Sequence, residues 1–254
     1  MSAADTSPRV SPVRMALVGM GRMGRALDAL AAERGCEVVA RLDAPEMQAG
    51  LTRALLNGAD VAIEFTTPET ALPNTAALLA LGCPVVVGTT GWNAELPRLE
   101  ALVTQHGTPA LWSPNFSLGV QLFLAIAEDA GRRLAGLDGF DCHVVETHHT
   151  AKKDAPSGTG IAIAERLGEG LGHQVPISSI RVGAVPGTHD VVIDAAFEQI
   201  VLRHEARDRR VFADGALSAA RWLARQQEAR VFTMRDVLRS GPAVSQPASA
   251  KPER

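Results

Sequence analysis

A glycine-rich loop near the start of the chain limits what its first half can fold into. The loop Gly19-Met20-Gly21-Arg22-Met23-Gly24 follows a strand-like run at residues 13–18 and precedes a helix-like run at 25–33. Glycines at this spacing between a strand and a helix are typical of dinucleotide-binding domains, because the backbone must approach a pyrophosphate closely. The same spacing also occurs in plain turns, so the loop alone is a weak indication.

The rest of the first half alternates between short apolar runs and helix-like segments. Strand-like runs cover residues 37–41, 61–65, 84–87 and 110–112, and helix-like segments include 69–81 and 95–106. Pro68 and Pro97 stand near two helix starts, where proline is tolerated. This order predicts an α/β fold with an N-terminal Rossmann domain. Its sheet is doubly wound and parallel, and the ligand crevice lies at the carboxyl ends of the strands.

An acidic residue stands where such a domain would bind the adenosine ribose. Asp43 follows the second strand-like run, nineteen residues beyond Gly24, and its carboxylate could accept hydrogen bonds from ribose hydroxyls. The alternative is that Asp43 simply begins the turn Asp43-Ala44-Pro45. Arg22 and Arg41 could both neutralise a 2′-phosphate, so both NADH and NADPH stay open as cofactors.

Two further loops are expected at the same edge of the sheet. Gly88-Thr89-Thr90-Gly91 follows the run 84–87, which would bring it near the reactive end of a bound dinucleotide. The alternative here is an ordinary glycine turn. Ser113-Pro114-Asn115-Phe116 follows the next strand, where the chain passes into its second half, and such crossing points are favoured places for ligand clefts.

The pattern changes after Asn115, which predicts a second domain. Helix-like stretches cover residues 118–134, 158–171 and 215–225, and strand-like runs cover 141–145, 177–182, 190–193 and 197–204. Turn residues separate the last strands, so an α+β domain with a mixed or antiparallel sheet is expected.

The segment from Glu146 to Gly160 contains most of the residues that could carry chemistry. It holds His148, His149, Lys152, Lys153 and the helix start Ser157-Gly158-Thr159. Imidazole titrates near neutral pH, ammonium supplies positive charge, and free amides at a helix N-terminus attract carboxylate or phosphate. The segment therefore predicts a binding site for an anion that also exchanges a proton.

The two adjacent histidines are expected to play different roles. Neighbouring side chains of an extended segment point to opposite faces, so His148 and His149 make a poor metal site. One catalytic group and one packing or substrate group is the favoured reading. A competing interpretation makes Asp154 or Ser157 a helix cap and the lysines a solvated face.

Composition argues against several classes of protein. The formal net charge is −3, which argues against a general nucleic-acid binder. The cysteines Cys36, Cys83 and Cys142 form no metal-binding spacing, so no metal is expected, and we interpret them as buried thiols in a reducing cytoplasm. No apolar run reaches the roughly eighteen residues of a membrane span. Residues 1–12 and 240–254 are predicted to be a flexible N-terminus and a disordered tail.

The motif of His148-His149, Lys152 and Asp154-Ala155-Pro156-Ser157-Gly158-Thr159 resembles the signature of bacterial dihydrodipicolinate reductases. The likeness runs from about residue 13 to 238. It includes the loops described above together with Phe65-Thr66-Thr67-Pro68, Arg181-Val182-Gly183, Pro186-Gly187-Thr188-His189, Phe212-Ala213-Asp214-Gly215-Ala216-Leu217 and Met234-Arg235-Asp236-Val237-Leu238.

The resemblance implies an NAD(P)H-dependent reduction of 4-hydroxy-tetrahydrodipicolinate in lysine and diaminopimelate biosynthesis. It implies that His148 acts as acid/base, that Lys152 donates a proton, and that His149 with the Ser157-Gly158-Thr159 helix start holds the carboxylates of a small dicarboxylate substrate. The implied cofactor contacts are Gly19, Met20, Gly21, Arg22, Met23, Gly24, Asp43, Gly88, Thr89, Thr90, Ser113, Pro114, Asn115 and Phe116.

The resemblance also implies a division into domains and an assembly. Residues 13–116 plus 213–239 would form the dinucleotide-binding domain, and 117–212 a substrate domain whose sheet builds a homotetramer. The chain departs from many relatives at Thr150 and Ala151, and from some at Ala44, where an arginine would favour NADPH. Two rival functions stay open: another Rossmann oxidoreductase, such as an amino-acid or semialdehyde dehydrogenase, and a non-catalytic nucleotide sensor.

Overall fold

Two sheets organise the part of the chain that the computed structural model describes, residues 11–239. The elements of the first half are β1 (Val13–Val18), α1 (Arg22–Ala31), β2 (Cys36–Leu42), α2 (Ala44–Ala49), α3 (Arg53–Leu56), β3 (Val61–Glu64), α4 (Pro68–Ala80), β4 (Val85–Val87), α5 (Leu96–His106) and β5 (Ala110–Trp112). Those of the second half are α6 (Leu118–Leu134), β6 (Phe140–His148), α7 (Gly158–Leu171), β7 (Ile177–Arg181), β8 (Thr188–Ala195), β9 (Glu198–Glu205), α8 (Arg210–Leu223), β10 (Val231–Phe232) and α9 (Met234–Arg239).

The first sheet is parallel throughout and has the strand order β10-β5-β4-β3-β1-β2. Every residue of β3 and β4 is buried, as expected for strands covered by helices on both faces. Strand order reverses beside β1, which opens a crevice at the carboxyl ends of the strands. The predicted Rossmann-like doubly wound sheet is confirmed.

The C-terminal part of the chain returns to complete this first sheet. Helix α8 buries Ala213, Ala216, Leu217 and Ala220 in the same core as Leu17 of β1. Strand β10 then pairs with β5 at the edge of the sheet. The small side chains of α8 allow its backbone to lie close to the sheet.

The second sheet has the order β7-β6-β8-β9, with β7 parallel to β6 and the other pairs antiparallel. Helices α6 and α7 cover one face of it. Phe123 of α6 and Ile163 and Leu167 of α7 pack there against Val144 and Val191 of the strands. The predicted second domain with a mixed sheet is therefore confirmed, because the described strands of this second sheet pair in both ways, β7 with β6 in parallel and the others antiparallel.

The structure corrects several predicted elements. Strand β6 runs on through His148 rather than ending at Val145, because β7 and β8 supply hydrogen-bonding partners on both sides. Phe197 is fully exposed in the turn before β9, although the pattern assigned it to the strand. The short elements α2, α3, β10 and α9 were not predicted, because they contain too few residues to show a periodic pattern.

The predictions for the chain ends fall mainly on residues 1–10 and 240–254, which lie outside the described residues. The division of the chain into 13–116 plus 213–239 and 117–212 stays a prediction. Over residues 11–239, we find no helix whose length and apolar character would let it cross a bilayer.

Candidate active site

A fully buried carboxylate organises the end of β6. Glu146 and His148 lie two residues apart on one strand and therefore on the same face of the sheet. The Nδ1 atom of His148 is hydrogen-bonded to Oε2 of Glu146. Nη2 of Arg181, on the neighbouring strand β7, donates to Oε1 of the same carboxylate at 2.7 Å. The backbone amide of Ser157 also donates to Oε1, at 3.3 Å.

These contacts keep Glu146 ionised. Burial acts to raise the pKa of the Glu146 carboxyl, but the hydrogen bonds from Arg181 and His148 outweigh it and lower that pKa to about 2. A buried carboxylate without such partners would be neutral at pH 7. The charge is therefore a fixed feature of the site.

His148 is neutral in this arrangement. Burial lowers the pKa of its imidazole, and the adjacent Glu146 carboxylate offsets only part of that effect. Since Nδ1–H donates to the carboxylate, Nε2 carries the lone pair. Gly187 packs directly against this atom, and a Cβ added at Gly187 would lie 2.9 Å from Nε2. The absence of a side chain at Gly187 keeps the reactive nitrogen free.

A second buried imidazole lies behind the first. The ring of His189 on β8 is 5.2 Å from that of His148, and its Nε2 is 3.3 Å from Oγ of Ser157. Burial, followed by the neighbouring His148 and His204, lowers the pKa of His189 to about 4. His189 is therefore also neutral near pH 7, so neither of the two imidazoles carries a positive charge here.

The start of α7 faces the same region. Ser157 is the N-cap, and its Oγ accepts a hydrogen bond from the Gly160 amide at 3.0 Å. This confirms the interpretation of Ser157 as a helix cap, but the cap also leaves the Gly158 and Thr159 amides at the open end of the helix. Anions are favoured at such a helix end.

The two lysines of the segment differ in their surroundings. Nζ of Lys152 is 2.8 Å from Oδ2 of Asp154, and 22% of the Lys152 side chain is exposed. Lys152 lies close enough to His148 to act on the pKa of its imidazole. Lys153 is exposed. The structure thus brings His148, Lys152 and the start of α7 together and leaves Lys153 toward solvent.

His149 points away from His148, as expected for neighbours in an extended segment. Its Nε2 is 3.1 Å from Nη2 of Arg209, which lies just before α8. Because arginine only donates, Nε2 of His149 accepts, and the ring proton is on Nδ1. The Nδ1–H group of His149 is then the one available to a ligand.

A separate cavity of about 510 Å³ lies at the carboxyl edge of the first sheet. Its lining includes Gly19, Gly21, Asp43 and the loop after β3. Gly19 has φ of +92°, and a Cβ there would lie 2.1 Å from the carbonyl oxygen of Phe65. Nothing lies within 4 Å of a Cβ position at Gly21, so this backbone faces open space. An open backbone at a helix start fits the pyrophosphate of a dinucleotide.

The other residues of the glycine loop and Asp43 are placed as follows. Met20 and Met23 are half-buried against the core, Gly24 is buried against the carbonyl of Gly19, and Arg22 is exposed. Asp43 is the N-cap of α2 and is exposed at the cavity. Asp43 therefore begins a turn of helix, as the alternative interpretation predicts, and it also lines the cavity. Its contact with an adenosine ribose stays a prediction.

Arg41 does not join this site. Its guanidinium forms two hydrogen bonds to the carboxylate of Asp28, at 2.8 and 2.6 Å. The pair lies beside another cavity, of about 370 Å³, whose lining does not include Asp43. Arg41 is thus already occupied by an acidic partner.

The loop after β4 contacts the loop after β3, which lines the cavity of about 510 Å³, and the segment after β5 contacts the start of α7. Gly88 and Thr89 are buried and Thr90 is exposed. Ser113 and Phe116 are buried and Pro114 is exposed, and Oγ of Ser113 donates to the Asn115 carbonyl at 2.7 Å. Nδ2 of Asn115 lies 3.1 Å from Oγ1 of Thr159. This contact connects the first sheet directly to the start of α7.

Sequence reasoning assigned no role to three residues of the site. Glu146, Arg181 and His189 belong to quoted motifs, but they are separated by up to 43 positions in the chain. Cross-strand pairing brings them together, since Glu146 is opposite His189 and His148 is opposite Arg181. The available signal in β6 was its alternation: Glu146 and His148 continue the buried positions of Cys142 and Val144, where apolar residues are expected.

Two family models match nearly all of the described residues. The model described as "Dihydrodipicolinate reductase, N-terminus" matches residues 13–116, and the one described as "Dihydrodipicolinate reductase, C-terminus" matches 119–238. The boundary between them falls where the chain passes from β5 to α6.

Several curated proteins are similar over most of their length. The 4-hydroxy-tetrahydrodipicolinate reductase of Gluconobacter oxydans is 37% identical, covering 91% of this chain and 98% of that protein. The protein of the same name from Thiobacillus denitrificans is 34% identical, covering 89% of this chain and 98% of that protein.

Solved structures share the fold. The dipicolinate-bound dihydrodipicolinate reductase from Paenisporosarcina sp. TG-14 has a TM-score of 0.73 at 21% identity, covering 87% of this chain and 97% of that one. An amine dehydrogenase from Mycobacterium smegmatis has a TM-score of 0.53 at 10% identity, covering 86% of this chain and 94% of that one. Other dehydrogenases therefore share this architecture, and the fold alone does not choose among their reactions.

Replacing Glu146 by Gln is expected to destabilise the protein. The variant leaves the guanidinium of Arg181 in a mostly buried position without its counter-charge, so the free energy of unfolding should fall by about 3 kcal/mol. Urea denaturation of the variant and the wild type measures this difference in the free energy of unfolding. Glu95→Gln is the matched control, because Glu95 pairs with Arg98 at the surface and should contribute less than about 1 kcal/mol. Equal losses in the two variants would contradict a buried charge cluster.

Stability is expected to fall as the pH is lowered from about 6.5 to about 4. His189 has an ordinary pKa of 6.5 and a folded-state pKa of about 4, so within this range the unfolded chain binds the proton first. The loss attributable to His189 is on the order of 3 kcal/mol. Glu146 adds to the loss only below its ordinary pKa of 4.5, and its contribution is lost between that pH and about 2.

The measurement compares urea midpoints at several pH values for the wild type and His189→Gln. The difference between the two proteins isolates His189 from other groups that titrate in the same range. The variant should show a smaller loss toward acid pH. Parallel pH curves for the two proteins would show that His189 is not the source.

Proposed function

The chain belongs to the dihydrodipicolinate reductase family, and from that premise we propose that it reduces 4-hydroxy-tetrahydrodipicolinate, or its dehydrated form dihydrodipicolinate, to tetrahydrodipicolinate. The reaction is part of lysine and diaminopimelate biosynthesis. The reductant is NADH or NADPH, which supplies a hydride from its nicotinamide ring when bound.

One observation carries this proposal. The neutral imidazole of His148, the ammonium of Lys152 and the open end of α7 lie together beside the strand end of β6. A dicarboxylate needs positive potential at two places, and the Lys152 ammonium and the Gly158 and Thr159 amides provide it without a metal ligand set. The Nδ1–H group of His149 offers a further donor toward the carboxylates.

These residues also provide the proton that the reduction requires. When the hydroxylated form is the substrate, its 4-hydroxyl leaves as water, which gives the conjugated ring of the dehydrated form. Hydride addition to that ring increases electron density at a neighbouring ring carbon, and a proton must be added there. Lys152 is the donor in this scheme, because its ammonium already carries the proton. His148 acts as acid/base beside it, and Glu146 holds the imidazole with its Nε2 lone pair toward the site.

The cofactor side rests on the cavity at the carboxyl edge of the first sheet. The first turn of α1 and the glycine loop would hold the pyrophosphate, and Asp43 would accept hydrogen bonds from the adenosine ribose. The loop at Gly88-Thr89-Thr90 and the segment Ser113-Pro114-Asn115-Phe116 would lie beside the nicotinamide. The contact between Asn115 and Thr159 supports a cleft shared by cofactor and substrate.

NADH is the preferred reductant in this proposal. The residues that line the 510 Å³ cavity include Asp43, Ala44, Met47 and Gln48 but neither Lys nor Arg. A 2′-phosphate would meet the Asp43 carboxylate without a compensating cation, and Arg41 is already paired with Asp28. Arg22 is the nearest candidate for partial compensation, because it lies in the glycine loop and is exposed.

The proposal includes a homotetramer and a cytoplasmic location. Large apolar side chains at Ile180, Val182, Ile200 and Val201 are 45 to 51% exposed on the second sheet and its edges, which supports burial against another copy. Cys36, Cys83 and Cys142 are all free, which supports a reducing compartment. The domain division given above, 13–116 plus 213–239 and 117–212, belongs to the same proposal.

A coupled assay tests the function. Purified protein is supplied with the product of dihydrodipicolinate synthase, and oxidation of NADH and of NADPH is followed separately. Competitive inhibition by the planar dianion dipicolinate would separate this reaction from that of an amino-acid or semialdehyde dehydrogenase. Binding of NADH without its oxidation would instead indicate a nucleotide sensor and overturn the proposal.

Lys152→Ala and His148→Gln are expected to lower kcat by roughly 10²–10⁴-fold, because each removes a group that transfers or relays the proton. The dissociation constant of NADH should change little. Lys153→Ala is the matched control, since this neighbouring lysine is exposed, and its kcat should stay near that of the wild type. A weakened affinity for NADH with normal turnover at saturation would contradict these roles.

Ala44→Arg is expected to raise the ratio of kcat/KM for NADPH to that for NADH about tenfold, because the guanidinium can pair with a 2′-phosphate at the cavity. Steady-state kinetics with both cofactors measures the ratio. Arg41→Gln should leave it unchanged, since Arg41 is already bound to Asp28. A wild-type preference for NADPH that Arg41→Gln abolishes would show that Arg41 reaches the cofactor.

A further inference from the structure

A buried carboxyl group lies at the end of β3 that the reaction described above does not use. Glu64 is completely buried, at 0% exposure, and one of its oxygens, Oε2, has no hydrogen-bond partner within the described part of the chain. None of the ion pairs within residues 11–239 involves Glu64. An unpaired acidic residue in a core is costly, so its presence calls for a specific role.

Glu64 lies beneath the point where two loops of the cavity meet. Its Oε1 is hydrogen-bonded to Oγ1 of Thr66, and its backbone carbonyl accepts from the Gly88 amide at 2.8 Å. The Thr66 amide in turn donates to Oγ1 of Thr89 at 2.7 Å. Nδ2 of Asn74, on α4, donates to Oγ1 of Thr66 at 3.3 Å. The loops after β3 and β4 are therefore joined through one small polar cluster.

The position of this cluster along the sheet indicates which part of a dinucleotide it would support. Asp43 follows β2, the glycine loop follows β1, and Gly88 follows β4. In the strand order β4-β3-β1-β2, a dinucleotide with its adenosine at Asp43 and its pyrophosphate at Gly21 extends toward β4. The Glu64 cluster, at the ends of β3 and β4, is then on the nicotinamide side of the pyrophosphate, and Asp43 is on its other side.

Packing in the same place leaves little freedom for the loops. A Cβ at Gly88 would lie 2.0 Å from the ring of Phe65, and one at Gly19 would lie 2.1 Å from the Phe65 carbonyl oxygen. The residue next to Glu64 thus sets the spacing between the glycine loop and the loop after β4. Any change in how Glu64 holds Thr66 would move this spacing.

We infer that Glu64 is a positioning residue for the nicotinamide half of the cofactor, acting through its hydrogen bonds to the loops after β3 and β4. This inference rests on the proposed function, because it presumes a bound nicotinamide dinucleotide. Glu64 touches neither cofactor nor substrate in this arrangement. It fixes the loops that do.

Burial favours the neutral form of this carboxyl group. Burial raises the pKa of Glu64 above its ordinary value, and hydrogen bonds from Thr66, Thr89 and Asn74 offset only part of that effect. A neutral acid can both donate and accept within such a cluster, whereas a carboxylate can only accept. Glutamine has the same shape and also donates and accepts, so it should replace Glu64 without loss.

The test compares two variants of similar size and two ligands. Glu64→Leu removes the hydrogen bonds and keeps the volume, and Glu64→Gln restores them. Binding of NADH and of ADP-ribose, which lacks the nicotinamide, is measured by calorimetry on the full chain. Glu64→Leu should weaken NADH binding about tenfold and leave ADP-ribose binding within about twofold of the wild type. Glu64→Gln should bind both ligands like the wild type.

Thr108→Val is the control for a general loss of stability. Thr108 is buried just before β5, at the amino end of that strand, and its Oγ1 donates to the carbonyl oxygens of Leu79 in α4 and His106 in α5. This variant should unfold more easily yet bind both ligands normally. If Glu64→Leu does not fold, Thr66→Val removes the same hydrogen bond from the other side and should show the same selective loss of NADH binding.

Three results would overturn the inference. These are unchanged NADH binding in the folded Glu64→Leu or Thr66→Val variant, an equal loss for NADH and ADP-ribose, or a Glu64→Gln variant as weak as Glu64→Leu. If the wild-type protein binds no NADH, that result would instead contradict the proposed function itself. The two failures are therefore distinguishable.

Discussion

The buried negative charge of Glu146 is the constraint on which the proposed substrate side of this protein depends. A carboxylate without exposure to water remains ionised only when several donors surround it, and here they come from β6, β7 and the start of α7. The Glu146 carboxylate thereby sets the tautomer of His148, binds the guanidinium of Arg181 and accepts a hydrogen bond from Ser157, the N-cap of α7. The positive helix end is directed to the site by the same contacts that stabilise the charge.

The proposed cofactor side is stabilised by a different set of interactions. Its cavity is shaped by backbone and by neutral polar groups, with close packing of Phe65 against Gly19 and Gly88. Glu64 is the buried carboxyl group at this edge of the first sheet, as Glu146 is at the end of β6. Both carboxyls are fully buried, yet cation and imidazole partners lower the pKa of Glu146, whereas burial without a cation raises that of Glu64. The contact of Asn115 with Thr159 joins the two sides.

The sequence predicted the larger elements well, because long periodic segments and turn residues are local signals. Strands β1 and β5 and helices α6 and α7 have the predicted bounds. The strand through His148 was extended by pairing with β7 and β8, which no local pattern reports. Arg41 was a candidate for phosphate binding by its position, but the structure pairs it with Asp28 of α1. Which partner a charged side chain finds depends on tertiary contacts.

By itself, the sequence determined the order of the longer strands and helices, the glycine loop, and the collection of His, Lys and helix-start residues in one segment. Each of these depends on residues that are neighbours in the chain. Only the tertiary structure decided that Glu146, Arg181 and His189 surround His148, and that Glu64 lies under the loops of the cavity. Those groups are far apart in the chain, and pairing between strands brings them together. Their charge states follow from burial and from these partners, which exist only in the folded protein.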